Sequence, residues 1–358
     1  VVFNELGVNT SYIDKKTGEL KEGVNATVLS GNSTDIVVTY LRYKELTKLV
    51  NSYGSKFLSL VSKVDNRIHS SFLQMVDTAR TSSSKPNIQN IPREIEYRSC
   101  FEEEDGYTLV IADYSSQEVL LAGDLYGESG ILDAIKSGKD MHLNTASIVY
   151  GEEVTDKEDL RRQIAKTIIF TIIYGGGPGK IATQFKMPMM MASKAVKTVK
   201  ELYPTLMAGL ETNFQESLKR GYITTNKFSK RKIYLEGFEE YVRLRDMAVR
   251  FTECGWDVRP DLLNKLSSIE SSYKRKSFNY PIQSSGADMA KRAGVHLRKA
   301  SKEHNFQIVL LAHDEWVVRC KDEDSEKVAK ILATCMKLAG KEILTNSEAT
   351  AKAVISKK

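Results

Sequence analysis

Four side chains recur at every fourth position in one stretch of the chain: Arg162, Lys166, Phe170 and Tyr174. On a helix, each step of four drifts by roughly 40°, so all four share one face. That face carries two cations, then two aromatics, and the run Gly175-Gly176-Gly177 ends it. Cations placed this way can hold phosphate oxygens, and an aromatic beside them can stack on a base or sugar. A core helix with two snorkelling basic residues carries the same residue types. Here Ile164, Ile168 and Ile172 already give the opposite face to a core, so the polar-to-aromatic face calls for another explanation. Alone it points to phosphate and something flat.

Carboxylates stand at two other places where chemistry is feasible. Asp113 closes the β-rich run Tyr107–Ala112, just before a helical pattern begins at Val119. Such a position suits a metal ligand, and equally a helix N-cap. His313-Asp314-Glu315 lies between the apolar runs Ile308–Ala312 and Trp316–Val318, the pattern of a tight hairpin with acids at its tip. Acids at a turn are also ordinary turn chemistry. Polar residues form two further groups. The loop Thr78–Arg93 sets Arg80, Lys85 and Arg93 among hydroxyls and amides, the kit for gripping a sugar-phosphate backbone. Arg275, Asn279 and Gln283 are again four apart and could hydrogen-bond base edges in a minor groove, where contacts are largely independent of sequence. Exposed helix polars would look the same.

The elements that must position these groups follow from pattern. An apolar stripe from Leu41 to Val61 predicts helix between Asp35 and about Lys63. Arg67–Met75 alternates like a strand. Residues 119 to about 275 are mostly helical, interrupted by a hairpin (Gly221–Ile223 with Ile233–Leu235) whose tip, Lys227–Lys232, is basic. Pro281 predicts a kink or a helix first turn. An amphipathic helix follows Glu323, then a strand near Ala351–Ile355. The first 34 residues read as irregular, with a turn at Lys15–Gly18.

With 358 residues the chain has room for two or three domains, and 41% hydrophobic with 27% charged residues is a globular composition. A net charge of +6 is compatible with a polyanionic partner. The four cysteines are far apart, which disfavours a disulfide framework or zinc site and makes a reducing compartment the default. No apolar run approaches the ~20 residues of a membrane span.

These pieces, in this order, resemble the family A DNA polymerases, the class of bacterial DNA polymerase I and many phage replicases. Asp113-Tyr114-Ser115-x-x-Glu118 is similar to the family's motif A, Arg162-x3-Lys166-x3-Phe170-x3-Tyr174-Gly175 to motif B, and His313-Asp314-Glu315 to motif C. The loop Arg80–Pro92 resembles the family's loop near the primer terminus, and Arg275, Asn279, Pro281 and Gln283 its minor-groove segment. The resemblance implies an α+β right-hand polymerase fold. An antiparallel palm sheet carries an inserted helical fingers domain and a truncated helical thumb. Partial thumb would span 1–63, the first palm segment 64–118, fingers 119–275 and the second palm segment 276–358. The function implied is template-directed addition of dNTPs to a primer 3′-hydroxyl, with primer-template DNA as partner. No exonuclease domain fits ahead of residue 35, so the chain reads as a fragment, a processed product or a split protein. A processivity factor or a separate exonuclease polypeptide would be further partners. The location implied is cytoplasmic, in a bacterial host if the chain is phage-encoded.

Residue roles come from the same resemblance. Asp113 and Asp314 would hold two Mg²⁺ ions (Mn²⁺ as substitute), with the Tyr114 carbonyl as a further ligand and Glu315 as a supporting acid. His142, Arg162 and Lys166 would grip the triphosphate, and Lys166 could protonate the leaving group. Phe170 would pack on the incoming nucleotide, Glu118 would sit under its sugar and exclude a 2′-hydroxyl, and Tyr174 would stack at the templating position. Arg80, Asn87, Gln89, Asn90, Arg275, Asn279, Gln283 and His313 would contact DNA. Three departures stand out: Thr171 where the family has glycine, Ser116-Gln117 where a polar-then-aliphatic pair is usual, and a longer stretch between Leu235 and Arg275 without an assigned role. A single-subunit RNA polymerase shares several of these features, and an inactive primer-template binding fragment would share all of them.

Overall fold

The computed structural model describes residues 34–356 except Arg93, and residues 5, 7, 8, 10–13, 20–24 and 29 before them. The Lys15–Gly18 turn and Arg93 therefore lie outside the described residues. The chain divides into two compact units, residues 1–71 with 84–86, and residues 72–83 with 87–358.

The first unit contains an antiparallel pair, β1 (Ser11–Ile13) and β2 (Leu20–Glu22), then helix α1 (Asp35–Tyr53) and the single turn α2 (Ser55–Leu58). The apolar stripe read from sequence is not a core. Only Val37 of α1 is buried, packed with Val8 and Leu29, whereas Leu46, Val50 and Leu58 are exposed. Periodicity says which face of a helix is apolar and not whether anything covers it. Two short strands follow, β3 (Ser71–Leu73) and β4 (Ser82–Ser84). The strand expected over Arg67–Met75 shrinks to three residues, all exposed, so no buried face rewards extending it.

The second unit is organised around a sheet. After the turn α3 (Ile95–Arg98), β5 (Tyr107–Tyr114) buries Thr108, Val110, Ala112 and Tyr114 and leaves Asp113 exposed. A strand period of two sends the acid to the opposite face from its neighbours. Helices α4 (Gln117–Tyr126), α5 (Ser129–Lys136), α6 (Met141–Tyr150), α7 (Leu160–Ile173), α8 (Pro178–Phe185), α9 (Met189–Leu202) and α10 (Pro204–Arg220) follow. The small hairpin β6 (Tyr222–Thr224) and β7 (Lys232–Tyr234) has the expected basic tip. The unassigned stretch after it forms α11 (Phe238–Glu253) and the first turns of α12 (Pro260–Ala300). The chain then returns as β8 (Phe306–Ala312), β9 (Glu315–Lys321), α13 (Ser325–Ile343) and β10 (Ala351–Ile355). Strands β10, β5, β9 and β8 form one antiparallel sheet in that order. Two sequence segments thus build the sheet, with the helical region inserted between them.

Three ties hold the sheet against its helices. Tyr114 Oη donates to the Met336 carbonyl on α13 at 2.9 Å, and Trp316 Nε1 to the Ala290 carbonyl on α12 at 3.0 Å. Asp124 of α4, 3% exposed, accepts from Thr345 N (2.9 Å), Asn346 N (2.7 Å) and Ser347 Oγ (2.8 Å), which pins the loop leading into β10. Asp124→Ala leaves those donors without their acceptor. It is expected to cost about 3 kcal/mol, read as a lower urea midpoint at unchanged m-value.

Pro281 begins no helix, contrary to one of the two expectations for it. It lies inside α12, which starts at Pro260. A proline cannot donate to the carbonyl four residues back, here Ser277. The Asn213 side chain of α10 donates to that carbonyl instead, so the helix continues through the defect.

Candidate active site

The sheet delivers the acids. In the β5–β9 register Asp113 lies opposite Glu315. His313 and Asp314 form the turn between β8 and β9, and His313 takes φ 61°, the left-handed conformation that two-residue hairpin turns use. Asp314 thereby comes within one residue of Asp113's cross-strand partner. Their charges couple. Burial raises the Asp314 carboxyl above the usual range. Asp113 raises it further, against the opposing pull of Asp314's own amide, Arg80 and His313. The buried Tyr114 hydroxyl is likewise held far above the ordinary phenol range, by burial first and then by the Asp314 charge.

Two repelling carboxylates are a donor set that a divalent cation relieves. Among the described residues, no three His, Cys, Asp or Glu side chains converge to hold a metal by themselves. Mg²⁺ does not require that, since it is commonly bound by one or two carboxylates with waters and substrate phosphates completing its shell. Asp113 and Asp314 fit this pattern. Glu315 is engaged elsewhere, 3.5 Å from the Arg98 guanidinium, which suits a supporting acid better than a ligand.

Helix α7 carries the cation-aromatic face as its spacing predicts, with Ile164, Ile168 and Ile172 buried behind it. The glycine stop is also as expected. The helix ends at Ile173, Gly175 takes φ +66°, and a Cβ there would stand 3.0 Å from the Arg275 backbone. Only glycine accommodates both. The departure at Thr171 has a local cost. Its hydroxyl is buried without a partner, and its Cγ2 fills the space where a Cβ on Gly176 would stand, 2.8 Å away.

At the N-terminal end of this face Lys166 is exposed and makes no ion pair among the described residues. Arg162 is not free. Its Nε and Nη2 donate to Asp140 Oδ2 at 3.0 and 2.7 Å. His142, expected beside them at the triphosphate, lies at the N-terminus of α6. It is 6% exposed, and its pKa falls to about 4, chiefly through burial. Asp140 works the other way, and Lys166 and Arg162 lower it further. At neutral pH the imidazole is uncharged and has at most a hydrogen bond to offer a phosphate.

The C-terminal end of the face meets motif A. Tyr174 Oη donates to the Glu118 carboxylate, 2.9 and 2.8 Å from its two oxygens, and Arg80 Nη2 donates to Glu118 Oε1 at 2.6 Å. Gln283 Nε2 approaches the Tyr174 hydroxyl at 3.5 Å. Residues from three separate stretches thus meet at one carboxylate, and a fourth reaches it through the Tyr174 hydroxyl. Phe170 lies partly buried one turn earlier on α7.

The remaining expected DNA contacts divide. Arg275 and His313 are exposed, and Asn279 is buried with its amide nitrogen unpartnered. Asn87 and Asn90 are exposed, and the Asn87 side chain caps the turn Ile88–Asn90. Gln89, expected at the DNA, is turned inward. It is 8% exposed, and its amide nitrogen donates to Thr81 Oγ1 (2.8 Å) and the Leu311 carbonyl (2.9 Å). It ties the loop to β8, beside the acid-bearing turn. Two further residues belong to the site without having been named for it. Arg98 pairs with Glu315 and has no sequence signal. Asp140 caps α6 two residues before His142, and its pairing with Arg162, 22 positions on, has no local sequence signal.

Comparison with known structures places the whole fold. The polymerase domain of Pol1 from M. smegmatis, solved with DNA primer-template and dNTP, superposes with a TM-score of 0.81 over 99% of this chain and 58% of that one, at 22% identity. The fold is that of a polymerase domain. The family model for DNA polymerase family A matches residues 1–352, and the chain belongs to that family. It is 32% identical over 343 residues to the thermostable DNA polymerase I of Thermus thermophilus, covering 94% of this chain and 38% of that protein. It is 31% identical over 346 residues to DNA polymerase I of Synechocystis, covering 95% and 34%. The chain spans little more than a third of the length of these relatives.

Proposed function

We propose that this chain is a DNA-directed DNA polymerase that adds dNTPs to a primer 3′-hydroxyl and releases pyrophosphate. The observation that carries the reading is the joining, through Glu118, of the helix bearing Arg162, Lys166, Phe170 and Tyr174 to the sheet that brings Asp113 and Asp314 together. Family membership and the primer-template and dNTP in the M. smegmatis structure support it. On this reading residues 64–118 and 276–358 are palm, 119–275 fingers and 1–63 part of a thumb. Two of these boundaries fall inside α4 and α12, which would run unbroken from one domain into the next.

In phosphoryl transfer the protein's work is positioning and charge stabilisation. Asp113 and Asp314 would hold two Mg²⁺ ions, with the Tyr114 carbonyl as an added ligand. When bound, such ions acidify the attacking hydroxyl and offset charge on the leaving group. Lys166 and Arg162 would hold the triphosphate, and Lys166 could give a proton to the departing pyrophosphate. Phe170 would pack against the nucleotide. Glu118 would lie under its sugar, with Arg80 and Tyr174 fixing the carboxylate. Arg275, Asn279 and Gln283 would read the minor groove of the primer-template. Gln89 would act indirectly, by holding the loop against β8.

Removal of metal tests the reading. Extension of a labelled primer on a matched template is expected with Mg²⁺, to stop with excess EDTA, and to return in part with Mn²⁺. Extension that persists in EDTA would defeat the two-metal assignment.

A further inference from the structure

Asp140 has no place in the roles above, yet its carboxylate touches both halves of the phosphate-gripping cluster. Oδ1 accepts from the backbone N–H groups of His142 (2.9 Å) and Leu143 (3.2 Å) and so caps α6. Oδ2 accepts from Nε and Nη2 of Arg162. The remaining Arg162 nitrogen, Nη1, donates to the Lys157 carbonyl at 3.3 Å. Both partners are largely enclosed, with 22% of the Arg162 and 18% of the Asp140 side chain exposed. Burial disfavours the Asp140 anion, but the hydrogen bonds and charge of Arg162 and the two amides hold its pKa below the usual range.

The Nε–Nη2 edge is the one with which a guanidinium clamps a carboxylate or phosphate in two parallel bonds. Here a carboxylate of the protein already occupies it. Next to it, Lys166 is unpaired among the described residues and the buried His142 Nδ1 has no partner. The cluster is thus partly filled by an internal anion and partly open.

We propose that Asp140 is a resident counter-anion that keeps Arg162 occupied until a nucleoside triphosphate displaces it, and so sets the affinity for the triphosphate and the release of pyrophosphate. This rests on the polymerase reading. A ligand that needs Arg162 free binds only the fraction of molecules in which it is unpaired, so its apparent Kd is the intrinsic value divided by that fraction. The same carboxylate retakes Arg162 when pyrophosphate departs. Asp140 would be a positioning residue that acts through Arg162 and touches no reacting atom.

Asparagine tests this cleanly. Asp140→Asn keeps an oxygen to cap α6, and Asp140→Ser preserves a cap in the same way, so both are expected to fold, with a melting temperature lowered only by the loss of the Arg162 pair. The readout is equilibrium binding of dTTP, with Mg²⁺, to the complex of the full chain with a dideoxy-terminated primer opposite templating dA. The Kd is expected to fall about tenfold in Asp140→Asn, the size of one charge-assisted pair given up. Inhibition of extension by pyrophosphate should tighten by a similar factor, while Asp140→Glu stays near wild type. In an Arg162→Ala background Asp140→Asn should change nothing. An unchanged or higher Kd in Asp140→Asn overturns the proposal, as does equal tightening without Arg162. Wild type that binds dTTP but shows no Asp140 effect sinks this inference alone. Wild type that binds no dTTP sinks the polymerase reading with it.

Discussion

Asp113→Ala and Asp314→Ala are each expected to slow nucleotide addition by at least about a thousandfold, because each removes a carboxylate that would hold a catalytic cation and each tenfold in rate is only about 1.4 kcal/mol of charge stabilisation. The fold should survive both. Asp314 carries its charge against burial and against Asp113, which raise its pKa, so the ionised carboxylate weakens the folded protein at neutral pH. Asp314→Ala is therefore expected to melt no lower than wild type. Single-turnover extension, a gel shift on the same primer-template and a thermal melt separate the effects. The expected pattern is lost chemistry, retained DNA binding and an undiminished melting temperature. Activity within tenfold of wild type in either variant would remove that acid from the proposed centre.

Glu118→Ala is expected to act on sugar choice more than on rate. The carboxylate is where Arg80 and Tyr174 converge, and its side chain is only 16% exposed, so alanine leaves a hole beside both. A 2′-hydroxyl then meets space instead of a fixed anion. The ratio of kcat/KM for a dNTP over the matching rNTP should fall by about a hundredfold, with most of the change in the rNTP. Arg80 also loses its partner, and an uncompensated, partly buried charge costs stability, so a lower unfolding midpoint should accompany the change. Unchanged sugar discrimination would mean that Glu118 serves to hold Tyr174 and not to screen the sugar.

What was legible in the sequence was local. The β-rich run Tyr107–Ala112 marked a strand with Asp113 at its end, and the four-residue spacing marked α7 with its glycine end. The apolar runs around His313-Asp314 marked the hairpin. Contacts between distant residues left no local trace. Gln89 reaches Leu311 across 222 positions, and nothing in its loop separated an internal tie from a DNA contact. The rescue of Pro281 depends on Asn213, on another helix. The burial of His142 has no local signal in its sequence. The stripe on α1 predicted a helix, but periodicity cannot report what covers its apolar face. That Asp113 meets Asp314 came from the family resemblance and follows physically only from the pairing of β5 with β9.

One measurement bears most directly on the central claim. A primer on four templates that differ only in the next templating base would be incubated with Mg²⁺ and each dNTP or rNTP singly. The account predicts one-nucleotide extension by the complementary dNTP on each template, little by the other dNTPs, and little by any rNTP. Extension indifferent to the templating base, a preference for rNTPs, or wild-type extension no greater than that of Asp113→Ala would contradict it.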